Sequence, residues 1–351
     1  MGSIVLKGCT SSQTVSQTST SPSGASSQAA GVEDEATLYE AAKKEGKVVM
    51  YTPLTTQEIL GEVGKAFTAK YPGIDFEGTR LSSQVLFQKV NQELQAGLRI
   101  VDVVVSGDIS HSMKLKEQGQ FIQYTPANKE RVMAQYRNLD PDNYYHLAGF
   151  VPIVLAYNTQ KMTAAEAPKS WKDLLQDKYK DKISTGSPAV SGVLGVWALS
   201  MQQKYGWDEY MVKFSQLNPL LGRSLADVVP VIATGDRSIA IAPLPITLDR
   251  KAKGDPIEII YPTDGTIMPP CTGGILKTAA HPNAAKLLMN FLGSKEYWDL
   301  VGEYYEYPIR DDGSLKGLQS LDAVQAYTPK SEDIRDQAPE IIKKWRDLFG
   351  V

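Results

Sequence analysis

The stretch Val101-Asp102-Val103-Val104-Val105-Ser106-Gly107-Asp108 decides the fold. Its first five residues are almost wholly apolar and β-branched, as in a strand buried within a parallel sheet. The next three residues end the strand, and Asp108 is placed to cap the helix that follows. Two strand–helix pairs come before this stretch: strand Val48–Tyr51, a helix whose apolar face runs from Ile59 to Phe67, strand Ile74–Phe76 and helix Val85–Ala96. This alternation predicts a parallel sheet with helices on both faces.

A second set of strands and helices follows the polar, tyrosine-rich segment Asn128–Tyr145. Its predicted strands are Val151–Asn158, Ile183–Thr185, Ser238–Ala242, Ile257–Tyr261 and Gly273–Leu276. Its predicted helices are one opened by Pro168–Leu175, then Val193–Tyr205, Asp208–Leu217, Leu225–Thr234 and most of His281–Phe349.

The length of 351 residues exceeds what one compact core usually takes. The sequence therefore predicts two α/β lobes, each a mixed, mostly parallel sheet flanked by helices. We expect residues 35–150 and 266–351 to form lobe 1 and residues 151–265 to form lobe 2. The chain would cross between the lobes at Val151–Asn158 and Tyr261–Gly265, and these crossings would act as a hinge.

The composition excludes several classes of protein. Hydrophobic residues make up 42% and charged residues 22%, which is ordinary for a soluble globular chain. A formal net charge of -3, with no basic stripe, argues against nucleic-acid binding. No apolar run in the sequence is long enough to span a bilayer. The sequence lacks nucleophile-elbow, phosphate-loop and zinc-protease motifs, and its three histidines lie far apart, so we predict no enzyme, metal site or cofactor.

The amino-terminal segment Ile4–Cys9 resembles the end of a bacterial lipoprotein signal, in which the cysteine after a Leu-x-Gly motif carries the lipid. Lys7 is unusual in that motif. Thr10–Val32 contains neither charged nor aromatic residues, a composition that favours a flexible tether. We therefore predict that Cys9 is lipidated; the alternative is a disordered tail with a chance cysteine. Cys271, the other cysteine, is predicted to be a small buried residue.

The candidate ligand-binding residues follow the ends of predicted strands. In a parallel sheet, ligands bind beyond the carboxyl ends of the strands. Arg80 offers a planar fork that matches a carboxylate or phosphate, and Ser191 and Gly192 open a helix whose unpaired N–H groups suit an anion. The alternatives are an ordinary surface arginine and an ordinary capped helix. The full predicted set is Tyr51, Thr52, Arg80, Ser82, Ser83, Ser106, Ser191, Gly192, Arg223 and Thr247.

Several motifs, taken in order, resemble one known family. They are Pro168–Leu175 with Lys178–Ile183 behind it, Ser191-Gly192 before a helix that ends at Lys204-Tyr205-Gly206, His281–Glu296, and Tyr307–Arg310. The chain resembles the extracellular solute-binding proteins of bacterial ABC importers, family 1, close to the ferric-iron and organophosphate branch. This resemblance implies the type 2 periplasmic-binding-protein fold, a ligand cleft between two lobes that close on binding, and a membrane permease as partner.

The sequence leaves more than one class of ligand open. The iron-binding members of that family hold ferric ion through tyrosine phenolates, including a tandem pair after the strand that matches Ser238–Ala242. This chain has Pro243–Thr247 there instead. We therefore predict an extracytoplasmic, lipid-anchored monomer that captures a small anionic solute, such as a carboxylate, phosphate or phosphonate. The alternatives are a ferric-iron-binding protein that uses Tyr51 or Tyr157 and, less favoured, an extracytoplasmic enzyme acting on a small anion.

Overall fold

The structure, a computed structural model, describes residues 1–3 and 34–351, so the predicted lipidation residue Cys9 and the tether lie outside the described residues. The strands among the described residues are β1 (Lys47–Thr52), β2 (Asp75–Arg80), β3 (Val103–Ser106), β4 (His146–Phe150), β5 (Ile153–Asn158), β6 (Ile183–Thr185), β7 (Leu220–Leu221), β8 (Ile239–Pro243), β9 (Ile257–Ile260) and β10 (Pro270–Ile275). The α-helices are α1 (Glu35–Glu45), α2 (Gln57–Lys70), α3 (Ser83–Gln95), α4 (Ile109–Glu117), α5 (Gly192–Tyr205), α6 (Lys213–Gln216), α7 (Val228–Thr234), α8 (Leu244–Ala252), α9 (Pro282–Leu292), α10 (Lys295–Gly302) and α11 (Ser331–Phe349). None of these helices has both the length and the apolar character needed to cross a bilayer.

The first sheet has the strand order β2-β1-β3-β10-β4. β1 pairs in parallel with β2 and β3, and β10 runs antiparallel between β3 and β4. Four strands therefore run in one direction and β10 runs against them. The carboxylate of Asp102, the charged residue before β3, accepts hydrogen bonds from the main-chain N–H groups of Val49 (2.8 Å) and His281 (3.0 Å). These bonds explain why an ionisable residue stands in an otherwise apolar stretch.

The second sheet has the strand order β7-β6-β8-β5-β9. β6 pairs in parallel with β7 and β8, and β5 runs antiparallel between β8 and β9. Its five strands lie between residues 153 and 260, whereas those of the first sheet lie before residue 151 and after residue 269. We call the parts built on these sheets the first and second lobes. The exact lobe boundaries stay a prediction, because α11 packs against α5 of the second lobe and α4 of the first.

The chain passes between the sheets after β4 and again after β9. The strand predicted at Val151–Asn158 is confirmed as β5, although it begins at Ile153 rather than at Val151. Pro152 has no N–H group to donate to a ladder, which accounts for the later start. The two crossings are hydrogen-bonded to each other, since Val151 N–H donates to Pro269 O (3.2 Å) and Ile153 N–H to Ile267 O (2.9 Å).

The predicted helix at Pro168–Leu175 is also wrong, because only the short 3₁₀ turn Asp173–Leu175 forms there. The Asp264 carboxylate accepts hydrogen bonds from the N–H groups of Trp171 (3.0 Å) and Lys172 (3.2 Å). The Trp171 indole donates to Gly265 O (2.8 Å). A partner distant in sequence thus satisfies backbone groups that a helix would otherwise have paired.

The carboxyl-terminal third is less helical than predicted. Residues 303–330 form an irregular segment between α10 and α11, with Pro308, Gly313 and Gly317 acting against a helix. A hydrogen bond within the segment, from Tyr307 to Gln319 O (2.7 Å), stabilises its fold, and one from Arg310 Nη1 to Gly293 O (2.8 Å) attaches it to the end of α9.

The buried stripe predicted for α5 is confirmed. Leu194, Trp197, Ala198 and Met201 are all fully buried. The Trp197 ring meets Trp171 and Trp345 edge to face, with centroids 6.0 and 6.4 Å apart. Aromatic rings in this geometry pack tightly and stabilise each other. This packing fixes the amino end of α5, which faces the first lobe.

Candidate functional site

A cavity of about 50 Å³ lies between the two lobes. Ligand sites for small molecules commonly lie in clefts between domains. The first lobe lines it with Pro53, Thr55, Arg80, Ser82, Ser83 and Glu306, and the crossing segment adds Val151. The second lobe lines it with Ser191, Val193, Ser224, Leu225, Ala226, Pro243, Pro245 and Ile246. The cavity thus combines apolar walls with a few polar groups from both lobes.

Arg80, at the carboxyl end of β2, is held with part of its guanidinium unpaired. Its main-chain N–H donates to Gln57 Oε1 (2.9 Å), and its side-chain Nε donates to Thr55 O (2.9 Å). The terminal Nη atoms make no hydrogen bond or ion pair with the residues that the structure describes. Burial lowers the pKa of Arg80, and the negative charge of Asp227 from the second lobe opposes that shift. A partly buried guanidinium that is held at Nε and has free Nη donors is suited to a carboxylate or phosphate.

Two helices begin at the cavity, one from each lobe. Ser82 is the N-cap of α3 and Ser191 is the N-cap of α5, yet neither hydroxyl makes a capping hydrogen bond. Ser83 Oγ is occupied, because it accepts a hydrogen bond from Gly107 N–H (3.1 Å). A helix amino terminus carries unpaired N–H groups and a partial positive charge. Two such helix ends, with hydroxyls that have no hydrogen-bond partner among the described residues, add to the positive charge of Arg80 and provide further donors for an anion.

Thr55 lies beside Arg80 in a strained backbone conformation. Its φ is 57°, in the left-handed region that a β-branched residue rarely adopts. Its buried hydroxyl has no hydrogen-bond partner among the described residues. Because Thr55 O accepts the bond from Arg80 Nε, this unusual loop conformation positions the guanidinium.

The lobes touch next to the cavity. Gln84 N–H of α3 donates to Val190 O, before α5, at 3.3 Å. At Gly192, an added Cβ would lie 2.5 Å from Asp108 Cβ and 3.2 Å from Ser83 Cβ, so only glycine fits there. The Asp108 carboxylate accepts a hydrogen bond from Ser110 N–H (3.0 Å), which confirms the capping role predicted for it.

The predicted site residues divide into two groups. Four of them line the cavity: Arg80, Ser82, Ser83 and Ser191. Gly192 lies at the contact between the lobes, and Arg223 is exposed outside the cavity lining.

The side chains of the remaining predicted residues form hydrogen bonds with other groups of the protein. Tyr51 donates to Glu93 (3.0 Å), and Thr52 Oγ1 accepts from Leu54 N–H (3.1 Å). Ser106 Oγ lies 2.9 Å from His111 Nδ1, and Thr247 donates to Pro243 O (2.7 Å). Their roles, like those of the cavity-lining residues, stay predictions about ligand binding.

Three polar lining residues were absent from the predicted set: Thr55, Ser224 and Glu306. Thr55 belongs to a strand-end loop that the sequence did indicate. Glu306 lies in the irregular segment after α10, where the only sequence signal is an acidic residue among tyrosines, Tyr304-Tyr305-Glu306-Tyr307. Burial raises the pKa of Glu306 to about 8.

The described residues place no group of three or more His, Cys, Asp or Glu side chains where a metal ion could be held. No tyrosine is among the residues that line the cavity between the described lobes. The donor set of this cavity, a guanidinium with hydroxyls and helix amino ends, is chemically suited to an anion rather than a metal cation.

Comparisons with known proteins agree with this geometry. Residues 99–329 match the family profile described as bacterial extracellular solute-binding protein. An uncharacterised protein of Haemophilus influenzae is 25% identical over 296 residues, which cover 82% of each chain. A Salmonella typhimurium protein, named as a candidate 2-aminoethylphosphonate-binding periplasmic protein, is 24% identical over 208 residues, which cover 55% of this chain and 61% of that one. The solved structure of the periplasmic binding protein AfuA from Actinobacillus pleuropneumoniae, with fructose-6-phosphate bound, superposes with a TM-score of 0.79 at 22% identity and covers 87% of this chain and 99% of its own.

These matches confirm the two-lobed type 2 periplasmic-binding-protein fold that the sequence resemblance implied. The matched profile covers about two thirds of the chain and includes most of the second lobe and both crossings. The chain therefore belongs to the bacterial extracellular solute-binding proteins and is the extracytoplasmic component of an ABC importer, with a small-molecule ligand and a membrane permease as its partners.

Proposed function

We propose that this protein binds a small anionic solute, a phosphonate, phosphate ester or carboxylate, in the cavity between its lobes. It acts by stoichiometric binding, without turnover, as a monomer. Its lobes close over the ligand at the two crossing segments, with lobe 1 comprising residues 35–150 and 266–351 and lobe 2 residues 151–265. Cys9 carries a lipid that anchors the protein, and the segment behind it acts as a tether beside the permease.

One observation carries the proposal for an anion: the unpaired Nη atoms of Arg80 at the cavity wall. A partly buried guanidinium with unpaired Nη donors is unfavourable in the folded protein. An anionic ligand would remove this imbalance through charge-assisted hydrogen bonds. The hydroxyls of Ser82 and Ser191 and the amino ends of α3 and α5 supply further donors.

The chemistry of related proteins supports this proposal. The Salmonella relative is named for a phosphonate and the AfuA structure holds a sugar phosphate, and both are organic anions.

Isothermal titration calorimetry tests the proposal with named probes. The full-length protein is titrated with ethylphosphonate, 2-aminoethylphosphonate, fructose-6-phosphate and inorganic phosphate. We expect stoichiometric binding of at least one organic anion and a loss of about 2 to 4 kcal/mol in the Arg80→Ala variant. Arg223→Ala is the matched control, because Arg223 is exposed and outside the cavity lining. If Arg80→Ala binds like wild type, the site lies elsewhere.

The iron alternative makes a different prediction. Ferric phenolate coordination gives a visible colour and depends on deprotonated tyrosine, so binding would weaken as the pH falls. We expect a colourless protein that takes up no iron from ferric citrate. A coloured, stoichiometric complex that is lost in Tyr51→Phe or Tyr157→Phe would replace the anion proposal. Release of a chemically altered product from a bound anion would restore the enzyme alternative.

A further inference from the structure

Glu306 is a buried carboxyl group that faces the proposed ligand site without a partner. Glu306 is among the residues that line the cavity, and it is only 8% exposed. Its carboxyl group makes no hydrogen bond or ion pair with any residue that the structure describes. Native proteins rarely leave a buried carboxyl group unpaired, because burial without a partner costs several kcal/mol. A group of this kind at a ligand cavity indicates that the ligand supplies the partner.

The surroundings of Glu306 provide no internal partner. Cys271 on β10 and Tyr297 on α10 are the neighbouring titratable groups within the fold, and burial together with the charge of Glu306 raises the pKa of both. They therefore stay neutral near pH 7. Arg80 is the other charged residue of the cavity lining, and it forms no ion pair with Glu306. The cavity thus presents one unpaired cation and one unpaired carboxyl group.

We propose that Glu306 receives an ammonium group of the ligand, so that the protein selects a small zwitterion whose acidic end is bound by Arg80. This inference rests on the proposed function and narrows its ligand class to amine-bearing organic anions, such as aminoalkylphosphonates or amino acids. An ammonium group supplies both the positive charge and the N–H donors that the Glu306 carboxylate lacks. Because burial raises the pKa of Glu306 to about 8, the carboxyl group is mostly neutral at pH 7 in the unliganded protein, and a bound ammonium group would favour its ionisation. A ligand hydroxyl would exchange one hydrogen bond with this group and add no charge interaction.

The test compares two ligand pairs that differ by one ammonium group. Calorimetry at pH 7 measures the binding of 2-aminoethylphosphonate against ethylphosphonate and of β-alanine against propionate. With the wild-type protein we expect the amine-bearing member of a bound pair to bind about 100-fold tighter or more. Glu306→Gln keeps the size of the side chain and cannot ionise beside an ammonium group, so this preference should fall below about tenfold. Glu117→Gln, at an exposed glutamate outside the cavity, should leave the preference unchanged.

The outcomes separate this inference from the proposed function. If both members of a pair bind alike to the wild-type protein, the Glu306 inference is overturned, while the proposed function stands as long as Arg80→Ala weakens their binding. The inference is also overturned if Glu306→Gln retains the full preference. If neither pair binds but fructose-6-phosphate or inorganic phosphate does, the ligand is an anion without an amine and the inference again fails. The absence of binding by all these probes, or unchanged binding by Arg80→Ala, would remove both proposals. Should Glu306→Gln fold poorly, Glu306→Asp retains the charge at a shorter reach and should retain a reduced preference.

Discussion

The stability of the unliganded protein should depend on pH through Glu306. Burial raises the pKa of this carboxyl group to about 8, against an ordinary value of 4.5 for an exposed glutamate. Between these two values the folded protein retains the proton that the unfolded chain has released. The free energy of unfolding therefore falls as the pH rises across this interval and is lowest above the folded pKa. A group with a raised acidic pKa thus destabilises the fold at high pH.

The size of this effect follows from the pKa difference. One pH unit within the interval changes the free energy of unfolding by about 1.4 kcal/mol, so moving from pH 5.5 to pH 8 should remove roughly 3 kcal/mol. Glu306→Gln lacks the titrating proton and should escape this loss. The variant should therefore gain roughly 3 kcal/mol of stability relative to wild type over the same interval. Cys271 and Tyr297 do not titrate there, because their pKa values are raised far above it.

Urea unfolding of ligand-free protein at pH 5.5, 6.5 and 8 measures this difference. Glu117→Gln controls for the removal of a carboxylate from an exposed position, and its curve should run parallel to that of wild type. Other titrating groups are shared by the proteins and cancel in the comparison. If the Glu306→Gln and wild-type curves also run parallel, the Glu306 carboxyl group is not buried in its neutral form, and the electrostatic reasoning about the cavity is wrong.

Three other predictions test the site, the hinge and the amino-terminal segment. Calorimetry should show Gly192→Ala binding the ligand at least about tenfold more weakly, because its Cβ would meet Asp108 and Ser83 where the lobes touch. The control, Gly195→Ala on the same helix, adds a Cβ with no atom within 4 Å and should bind as wild type does. Solution scattering should show the radius of gyration falling when a bound probe is added, and an unchanged curve at saturation would count against hinge closure. A protein that begins at Glu35 should keep the ligand affinity and melting temperature of the full chain; a marked loss of either would contradict the tether hypothesis.

Local rules of chain geometry predicted much of this architecture. The alternation of apolar strands and amphipathic helices located the parallel core of the first sheet, because each of those elements is recognisable from its own residues. The helix predicted at Pro168–Leu175 does not form, and this error shows the limit of reasoning from local sequence. Its backbone N–H groups are bound by Asp264, about ninety residues away in sequence, and a contact of that kind leaves no local signature.

The sequence located part of the candidate site, because the ends of strands can be recognised from local sequence. The rule about strand ends led to Arg80 and Ser191, which do line the cavity. The same rule also selected Tyr51 and Thr52, but it cannot tell which way a strand-end side chain points. The side chains of both residues form hydrogen bonds within the first lobe. Glu306 lies after the last strand of either sheet, in a segment without helical or strand periodicity, so no strand-end rule could reach it.

The distribution of charge over the lobes has a consequence for the order of binding events. Arg80 and Glu306, the charged residues of the cavity lining, both belong to the first lobe, whereas the second lobe contributes Ser191, Ser224 and the amino end of α5. The proposed ligand would therefore make both charge interactions with the open protein before the lobes close. Closure would then add neutral donors and exclude water, which would strengthen the contacts already formed. We therefore expect the first lobe to determine which ligand is selected, and the close contact at Gly192 to determine whether the protein reaches the closed form that a permease would recognise.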